Sequence, residues 1–178
     1  MPFMYGPTRK KCVRLSDFDY SLAGAYFVTI CTQDRCCLFG NVINEQLHQS
    51  PAGKMIQKAW LDLPTIHPRI QLDEFIVMPN HLHGIIVLES EGNYRAGTRP
   101  APTGFSLLDL VRIFKSMTTV HYIRGMKQHN WPPFRNRLWQ RGFFEHVVRD
   151  DDDLCRIREY IRNNPKNWDT DPENPCGS

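Results

Sequence analysis

The sequence lacks long apolar runs, regular cysteine spacing and a strong excess of charge of either sign. No uninterrupted hydrophobic stretch approaches the roughly 18 residues of a membrane span, and the start of the chain is polar and basic rather than signal-like. The six cysteines form no C-x-x-C pair, which argues against a zinc module and a disulfide scaffold. We therefore predict a cytoplasmic protein without a membrane partner.

The length and the hydrophobic content predict one compact domain. The chain has 178 residues, of which 41% are hydrophobic, and this is enough to bury a core. We assign residues 15–168 to the domain and residues 1–14 and 169–178 to tails, and we expect the second tail to be frayed. The net charge of +3 permits binding to nucleic acid without requiring it.

Local patterns predict seven elements in the order β-α-β-β-α-β-α. The predicted strands, rich in β-branched and aromatic residues, cover residues 25–32, 72–78, 82–88 and 138–148. The predicted helices, with apolar residues at helical spacing, cover residues 52–63, 106–125 and 150–164, and a long loop covers residues 89–104. This order fits a ferredoxin-like α+β fold, in which an antiparallel sheet has helices on one face and leaves the other face free for a ligand.

Two histidines at the start of the third predicted strand form a candidate metal site. Side chains alternate along a strand, so His81 and His83 project from the same face and can point at one ion. The pair leaves most of a coordination sphere empty, as a catalytic metal requires. The same pattern also occurs as hydrogen-bonded structural histidines, so the pair alone does not decide the function.

The last predicted helix supplies a phenol and an amide. Tyr160 falls about a quarter turn to one side of the apolar stripe, which predicts a half-exposed ring, and Asn164 lies on the same side of the helix. A phenol with a reference pKa of about 10 is a poor nucleophile at neutral pH unless a metal or a base helps it. The alternative role for Tyr160 is an edge-of-core residue whose hydroxyl reaches water. Tyr122, on the second helix, is the next candidate nucleophile but lacks a paired amide.

These residues lie in segments that resemble a known family. The segment Met78–Gly84 resembles the His-hydrophobic-His motif of single-tyrosine HUH transposases. Three later segments resemble REP-associated tyrosine transposases, and together the similarities span about residues 26–168. The three segments are residues 114–116 (FKS), 139–149 (WQRGFFEHVVR) and 157–165 (IREYIRNNP).

The resemblance implies a ferredoxin-like HUH fold and a role in transposition and DNA recombination. It implies that His81, His83 and Asn164 bind a divalent metal, Mg or Mn, and that Tyr160 is the nucleophile. Such enzymes attack a phosphodiester of single-stranded DNA, hold the 5′ phosphate as a phosphotyrosine, release a 3′ hydroxyl and later rejoin strands. They recognise hairpins formed by palindromic repeats. Imidazole and amide ligands suit Mn at least as well as Mg.

The predicted contacts with DNA rest on basic and aromatic residues near these segments. Such a mixture suits phosphate pairing and base stacking, although arginine stems that cover apolar patches on a solvated surface would look the same. A catalytically inactive or domesticated module that binds structured nucleic acid, and an unrelated metal-dependent hydrolase, remain alternative functions. The oligomeric state stays open between a monomer and a homodimer. The candidate phosphate contacts are Arg112, Lys115, Arg141 and Arg149, the candidate stacking platform is Trp131 or Trp139, and His146 is a candidate contact to a phosphate or to a metal ligand.

Overall fold

The computed structural model describes residues 19–90 and 105–175. Most of the predicted long loop and the predicted N-terminal tail lie outside these residues. Along the chain the elements are β1 (Gly24–Cys31), β2 (Gly40–Ile43), β3 (Gln46–Gln49), α1 (Pro51–Leu61), α2 (Leu63–Ile66), β4 (Ile70–Val77), β5 (His81–Leu88), α3 (Leu107–His129), β6 (Phe144–Val147) and α4 (Asp151–Asn163). Two short 3₁₀ turns cover Gln33–Arg35 and Trp168–Thr170.

The main sheet has four antiparallel strands in the order β4-β5-β1-β6. The predicted hairpin around Pro79 and Asn80 is present as β4 and β5, and these residues separate the two strands. The predicted α+β class with an antiparallel sheet is confirmed. The fourth strand, β6, is shorter than the predicted residues 138–148. Before β6 begins, Trp139 pairs with Thr32 only through an isolated β-bridge.

Each face of the sheet packs against its own set of helices. Tyr26, Val28 and Ile30 of β1 point into the larger core, which α1 and α3 close with residues such as Trp60 and Phe114. On the opposite face, Phe27 of β1 and Ile85 of β5 pack against Ile157 and Ile161 of α4. The expectation of helices on one face only is therefore corrected, since α4 covers the face that was expected to be open.

A second hairpin, formed by β2 and β3, was not predicted. The two strands make a separate sheet, and the residues between them, Asn44 and Glu45, both have positive φ values of 51° and 63°. Such backbone is typical of a two-residue hairpin turn whose twist matches that of the strands. The usual sequence signal for such a turn is Asn-Gly. Glu45 stands where the glycine would be, so the turn was not predicted.

The helix ends follow local chemistry. Ser106 and Asp109 form the predicted capping box at the start of α3, with each side chain accepting from the other residue's backbone N–H. Asp150 caps α4 by accepting from the N–H of Asp153, and acidic residues fill the first turn. α4 ends at Asn163 with Asn164 as its cap, and Asn164 keeps helical backbone angles (φ −57°, ψ −41°) although Pro165 follows it.

Gly84 on β5 provides a test of the larger core. A methyl group at this position would lie 2.3 Å from Cζ2 of Trp60, whose side chain is fully buried and cannot move aside. We expect Gly84→Ala to lower the free energy of unfolding by about 1–3 kcal/mol through overpacking. Urea denaturation measures the change. Gly142→Ala, where nothing lies within 4 Å of the added methyl group, is the control and should change stability far less. Equal effects of the two substitutions would contradict the packing described for the α1 side of the sheet.

Candidate active site

The two histidines of β5 lie side by side beneath α4. Their ring centroids are 4.4 Å apart, and both side chains are completely buried. They project from the same face of the strand, as the alternation of side chains predicted. Because the site is enclosed, each polar ring atom must find a partner or stand ready to meet a ligand.

The His81 ring has one satisfied nitrogen and one without a partner. Its Nδ1 is hydrogen-bonded to Oδ1 of Asn80 at 2.8 Å. Its Nε2 is buried and makes no hydrogen bond of good geometry among the described residues, although the Asn164 side chain lies close enough to favour the charged form of the ring. Burial lowers the pKa of His81 to about 4, so the ring is uncharged at neutral pH and can offer a lone pair.

His83 connects the sheet to the tyrosine. Its Nδ1 is 2.8 Å from Oγ1 of Thr29, a buried residue of β1, and its ring stacks on Phe27 with the centroids 5.5 Å apart. Its Nε2 is 3.4 Å from Oη of Tyr160. Burial and then the neighbouring His81 hold the pKa of His83 well below its usual range, so this ring is also neutral.

Tyr160 enters the site from α4. Its side chain is half-buried, as predicted, and its ring centroid is 5.2 Å from that of His83. Burial, and next the nearby carboxylate of Asp171, raise the pKa of the phenol above its usual value. The hydroxyl is therefore protonated at neutral pH, and a positive charge nearby would favour its ionisation.

Asn164 contributes a buried amide. Its Nδ2 donates to Oδ2 of Asp171 at 3.1 Å, and its Oδ1 is buried with no partner among the described residues. The structure thus brings together the four residues that the sequence singled out for chemistry. They are His81, His83, Tyr160 and Asn164.

Asp171 is a site residue that the sequence analysis missed. One of its carboxylate oxygens and one ring nitrogen each of His81 and His83 lie within 4.8 Å of one another. The expectation of a frayed tail after residue 168 is wrong for the described part, because Asp171, Glu173 and Asn174 are all buried. Asp171 stands in an acidic stretch without a recognisable spacing, so the sequence held no signal that separated it from its neighbours.

These donors fit a divalent cation. Within residues 19–90 and 105–175, His81, His83 and Asp171 form a group that could hold one, and the unpartnered Oδ1 of Asn164 adds an uncharged oxygen. An unsatisfied nitrogen and an unsatisfied oxygen in a buried site otherwise cost free energy, which an ion would offset. Imidazole nitrogens with carboxylate and amide oxygens suit Mn or Mg rather than a metal that prefers sulfur ligands.

Two ion pairs hold α4 against the edge strand β4. The register of β4 shifts between Leu72 and Phe75, so Asp73 and Glu74 together oppose one residue of β5 in a bulge. Arg158 binds Asp73 through two hydrogen bonds of 2.7 and 2.5 Å, and Arg162 donates to Glu74 at 2.9 Å. The two arginines lie one helical turn apart, on either side of Tyr160 in sequence.

His146 and Asp153 secure the beginning of the same helix. Nε2 of His146 is 2.8 Å from Oδ2 of Asp153, a buried carboxylate that also accepts from the backbone N–H of Arg149. His146 therefore helps to fix the position of α4, and its contact to a phosphate or to a metal ligand stays a prediction. Arg149 itself is exposed at the entry to the helix.

The other predicted DNA contacts differ in their surroundings. Arg112 is exposed and pairs with Asp109, and Arg141 is exposed. Lys115 donates to the backbone carbonyls of Gln140 and Gly142 at 3.0 and 2.7 Å, so it ties that segment to α3. Trp139 is 4% exposed and donates to Thr118, and the prediction of a stacking platform at Trp139 is corrected because almost none of its side chain is accessible.

Tyr122 and Trp131 belong to the core on the far side of the sheet. The hydroxyl of Tyr122 donates to the carbonyl of Pro132 at 2.9 Å, and its side chain is fully buried. Trp131 is half-buried, and its ring centroid is 5.3 Å from that of Tyr122. The structure therefore separates Tyr122 from the two histidines.

Comparisons with known proteins find relatives that cover most of the chain. No family model matches the sequence. An uncharacterised protein of Haemophilus influenzae is 33% identical over 171 residues, which cover 93% of each chain. A second protein of that organism, provisionally named a REP-associated tyrosine transposase, is 27% identical over 83% of this chain and 73% of its own length.

A solved structure with the same fold carries the same family name. It is a REP-associated tyrosine transposase bound to a REP hairpin, and it matches 82% of this chain and 68% of its own chain with a TM-score of 0.54 and 19% identity. The chain is therefore similar to REP-associated tyrosine transposases over most of its length, as its motifs indicated. Among the described residues no helix has the length and apolar character to cross a membrane.

A metal titration tests the donor set. We expect Mn²⁺ to raise the melting temperature of the wild type, since a ligand at one hundred times its dissociation constant adds about 2.7 kcal/mol of stability. His81→Ala should abolish the increase because it removes an unpartnered buried nitrogen. His121→Ala, an exposed position on α3, is the control and should keep it. Absence of any Mn²⁺ effect on the wild type would contradict the proposed site.

Hydrogen exchange tests the ion pairs that hold α4. Arg158→Ala removes a bidentate contact to Asp73 and should weaken the protection of the α4 amides by about 1 kcal/mol, with little change in α3. Lys58→Ala breaks an exposed pair with Asp62 on α1 and serves as the control. Uniform loss of protection over the whole domain after Arg158→Ala would argue against a local role.

Proposed function

We propose that this protein is a metal-dependent enzyme that nicks and rejoins single-stranded DNA through a phosphotyrosine at Tyr160. The observation that carries the proposal is the distance of 3.4 Å between Oη of Tyr160 and Nε2 of His83 within one chain. The unpartnered Nε2 of His81 and Oδ1 of Asn164 lie in the same enclosed site. A structural tyrosine would need none of these neighbours.

The chemistry is an exchange of one phosphodiester for another. The Tyr160 oxygen attacks the phosphorus of a backbone phosphodiester, a bond forms between them, and the bond to the 3′ oxygen breaks. The phenolic proton is lost from Tyr160, and the departing 3′ oxygen ends as a hydroxyl. Attack of a 3′ hydroxyl on the phosphotyrosine reverses these steps and joins two strands without an external energy source.

The protein must overcome the raised pKa of the Tyr160 phenol. Burial and the carboxylate of Asp171 disfavour the phenolate in the ion-free site. His81, His83, Asp171 and Asn164 would hold the cation. When bound, a divalent cation supplies positive charge that stabilises the phenolate and the charge that develops on the phosphate. We leave the metal open between Mg and Mn.

We infer that the partner is hairpin or single-stranded DNA. The fold relative is a transposase bound to a REP hairpin, and the basic residues of this chain are consistent with a similar partner. A groove of about 530 Å³ lies between α3 and residues 136–141 and is lined by Arg137, Arg141 and Lys115 without any acidic residue. Its exposed arginines can contact phosphates. Arg112 lies beside the groove, in a neighbouring depression that Lys115 and Arg141 also line, and Arg149 is exposed at the start of α4.

The same geometry supports cleavage by one subunit. Tyr160 reaches the histidines of its own chain, so the proposed reaction needs no residue from a second copy. A monomer is therefore sufficient, whereas a homodimer would be an additional property. We expect the reaction to take place in the cytoplasm, where the DNA is.

A second candidate function is a module that binds structured nucleic acid without cutting it. The observation that favours it is the complete burial of both imidazoles under α4 and the segment that follows. Such a site would have to open before a phosphodiester could reach Tyr160. A DNA complex without a covalent product would support this alternative.

Covalent capture distinguishes these functions. With Mn²⁺ and a 3′-labelled single strand that carries a hairpin, the wild type should give a protein–DNA adduct that survives denaturing electrophoresis. Tyr160→Phe removes the nucleophilic oxygen and should abolish the adduct. Tyr122→Phe is the matched control, because it removes a hydroxyl that is bonded to Pro132 across the sheet, and it should retain the adduct.

The opposite outcomes are equally informative. A product that persists in Tyr160→Phe but disappears in His81→Ala would identify a metal-dependent hydrolase instead. An adduct that depends on Tyr122 rather than on Tyr160 would overturn the proposed nucleophile. Tight binding of the hairpin with neither adduct nor cleavage in the wild type would favour the binding module.

A further inference from the structure

We propose that Asn80 is a positioning residue that fixes the tautomer of His81, and that the segment 171–173 sets the orientation of Asn80. The inference rests on the proposed metal site and adds to it the residues that orient the ligands. Asn80 is 1% exposed and lies in the turn between β4 and β5, directly before His81.

The orientation of the Asn80 amide is determined by its donors. Its Nδ2 donates to the backbone carbonyl of Arg35 at 3.0 Å and to that of Glu173 at 2.6 Å. Carbonyl oxygens accept hydrogen bonds and cannot donate them, so the NH₂ group must face these two atoms. The oxygen of the amide is thereby turned toward the ring of His81.

The tautomer of His81 follows from this orientation. Oδ1 of Asn80 lies 2.8 Å from Nδ1 of His81, and an amide oxygen is an acceptor only. Nδ1 must therefore carry the hydrogen, and Nε2 keeps the lone pair. Nε2 is the buried atom that has no partner, so Asn80 leaves free the nitrogen that the proposed site needs.

The same segment orients a second amide in the same way. The carboxylate of Asp171 accepts from Nδ2 of Asn164 at 3.1 Å, and this turns the unpartnered Oδ1 of Asn164 away from it. The other oxygen of Asp171 accepts from the backbone N–H of Glu173 at 2.7 Å. Residues 171–173 thus form one unit whose oxygens accept from the NH₂ groups of Asn80 and Asn164. These contacts orient the oxygens of the two amides.

Arg35 attaches this unit to the end of β1. Its Nε donates to Oε2 of Glu173 at 3.0 Å, and the Glu173 side chain is 4% exposed. Its backbone carbonyl accepts from Nδ2 of Asn80. The unit is therefore held by Arg35 and Asn80, which precede the histidine pair in the sequence, and by Asn164, which follows it. A loss of Asn80 should release the His81 ring without removing a ligand.

The first measurement needs no metal. A two-bond ¹H–¹⁵N correlation spectrum of the ion-free wild type should show His81 as a neutral ring protonated on Nδ1. In Asn80→Ala the preference for this tautomer should be lost. Asn163→Ala, a half-buried neighbour on α4 with no role in the amide pair, is the control and should leave the His81 signals in place. A wild-type His81 protonated on Nε2 alone overturns the inference, whether or not any variant folds.

The second measurement is the affinity for Mn²⁺. Asn80→Ala should weaken Mn²⁺ binding by about 10- to 100-fold, as loss of a group that orients a ligand does, while Asn163→Ala changes it less than about twofold. An Asn80→Ala protein that is folded and binds Mn²⁺ as the wild type does would refute the inference. Both readouts are independent of DNA cleavage, so a wild type that shows the expected tautomer but forms no adduct would refute only the proposed function.

Discussion

The structure depends on keeping two uncharged imidazoles side by side and out of water. His81 and His83 are completely buried, and burial lowers the pKa of both rings. Burying a polar ring atom without a partner costs free energy, and Thr29 and Asn80 satisfy one nitrogen on each ring. The remaining nitrogens point toward Tyr160 and toward the space near Asn164 and Asp171. The enclosed setting strengthens any electrostatic interaction that forms there.

The fold meets this requirement by giving the two faces of one sheet different tasks. The face toward α1 and α3 carries most of the apolar core, where Gly84 makes room for the ring of Trp60. The opposite face holds a small apolar cluster around Phe27 and Ile157 and then the polar site. A strand's alternation separates the two environments by a single residue, so Leu82 is in the core while the histidines on either side are not.

Local rules predicted the parts of the site whose partners are close in sequence. His81 and His83 share a face because side chains alternate along one strand. Tyr160 and Asn164 share a side because they lie four residues apart on one helix, and the turn before His81 is equally local. Asp171 escaped prediction because its partners lie far away in the sequence, and the same holds for Asp73 and Glu74 on β4. A tryptophan among arginines suggested an exposed platform, but composition does not reveal burial, and Trp139 lies in the core.

The bulge in β4 also affects how the protein can associate with itself. β4 is an outer strand of the sheet, and an outer strand with a regular row of free N–H and C=O groups invites another strand to pair with it. The extra residue interrupts that row, and the carboxylates of Asp73 and Glu74 add charge beside it. The other outer strand, β6, is only four residues long. Both borders of the sheet are thus poor templates for an intermolecular ladder, which disfavours strand-mediated assembly and aggregation.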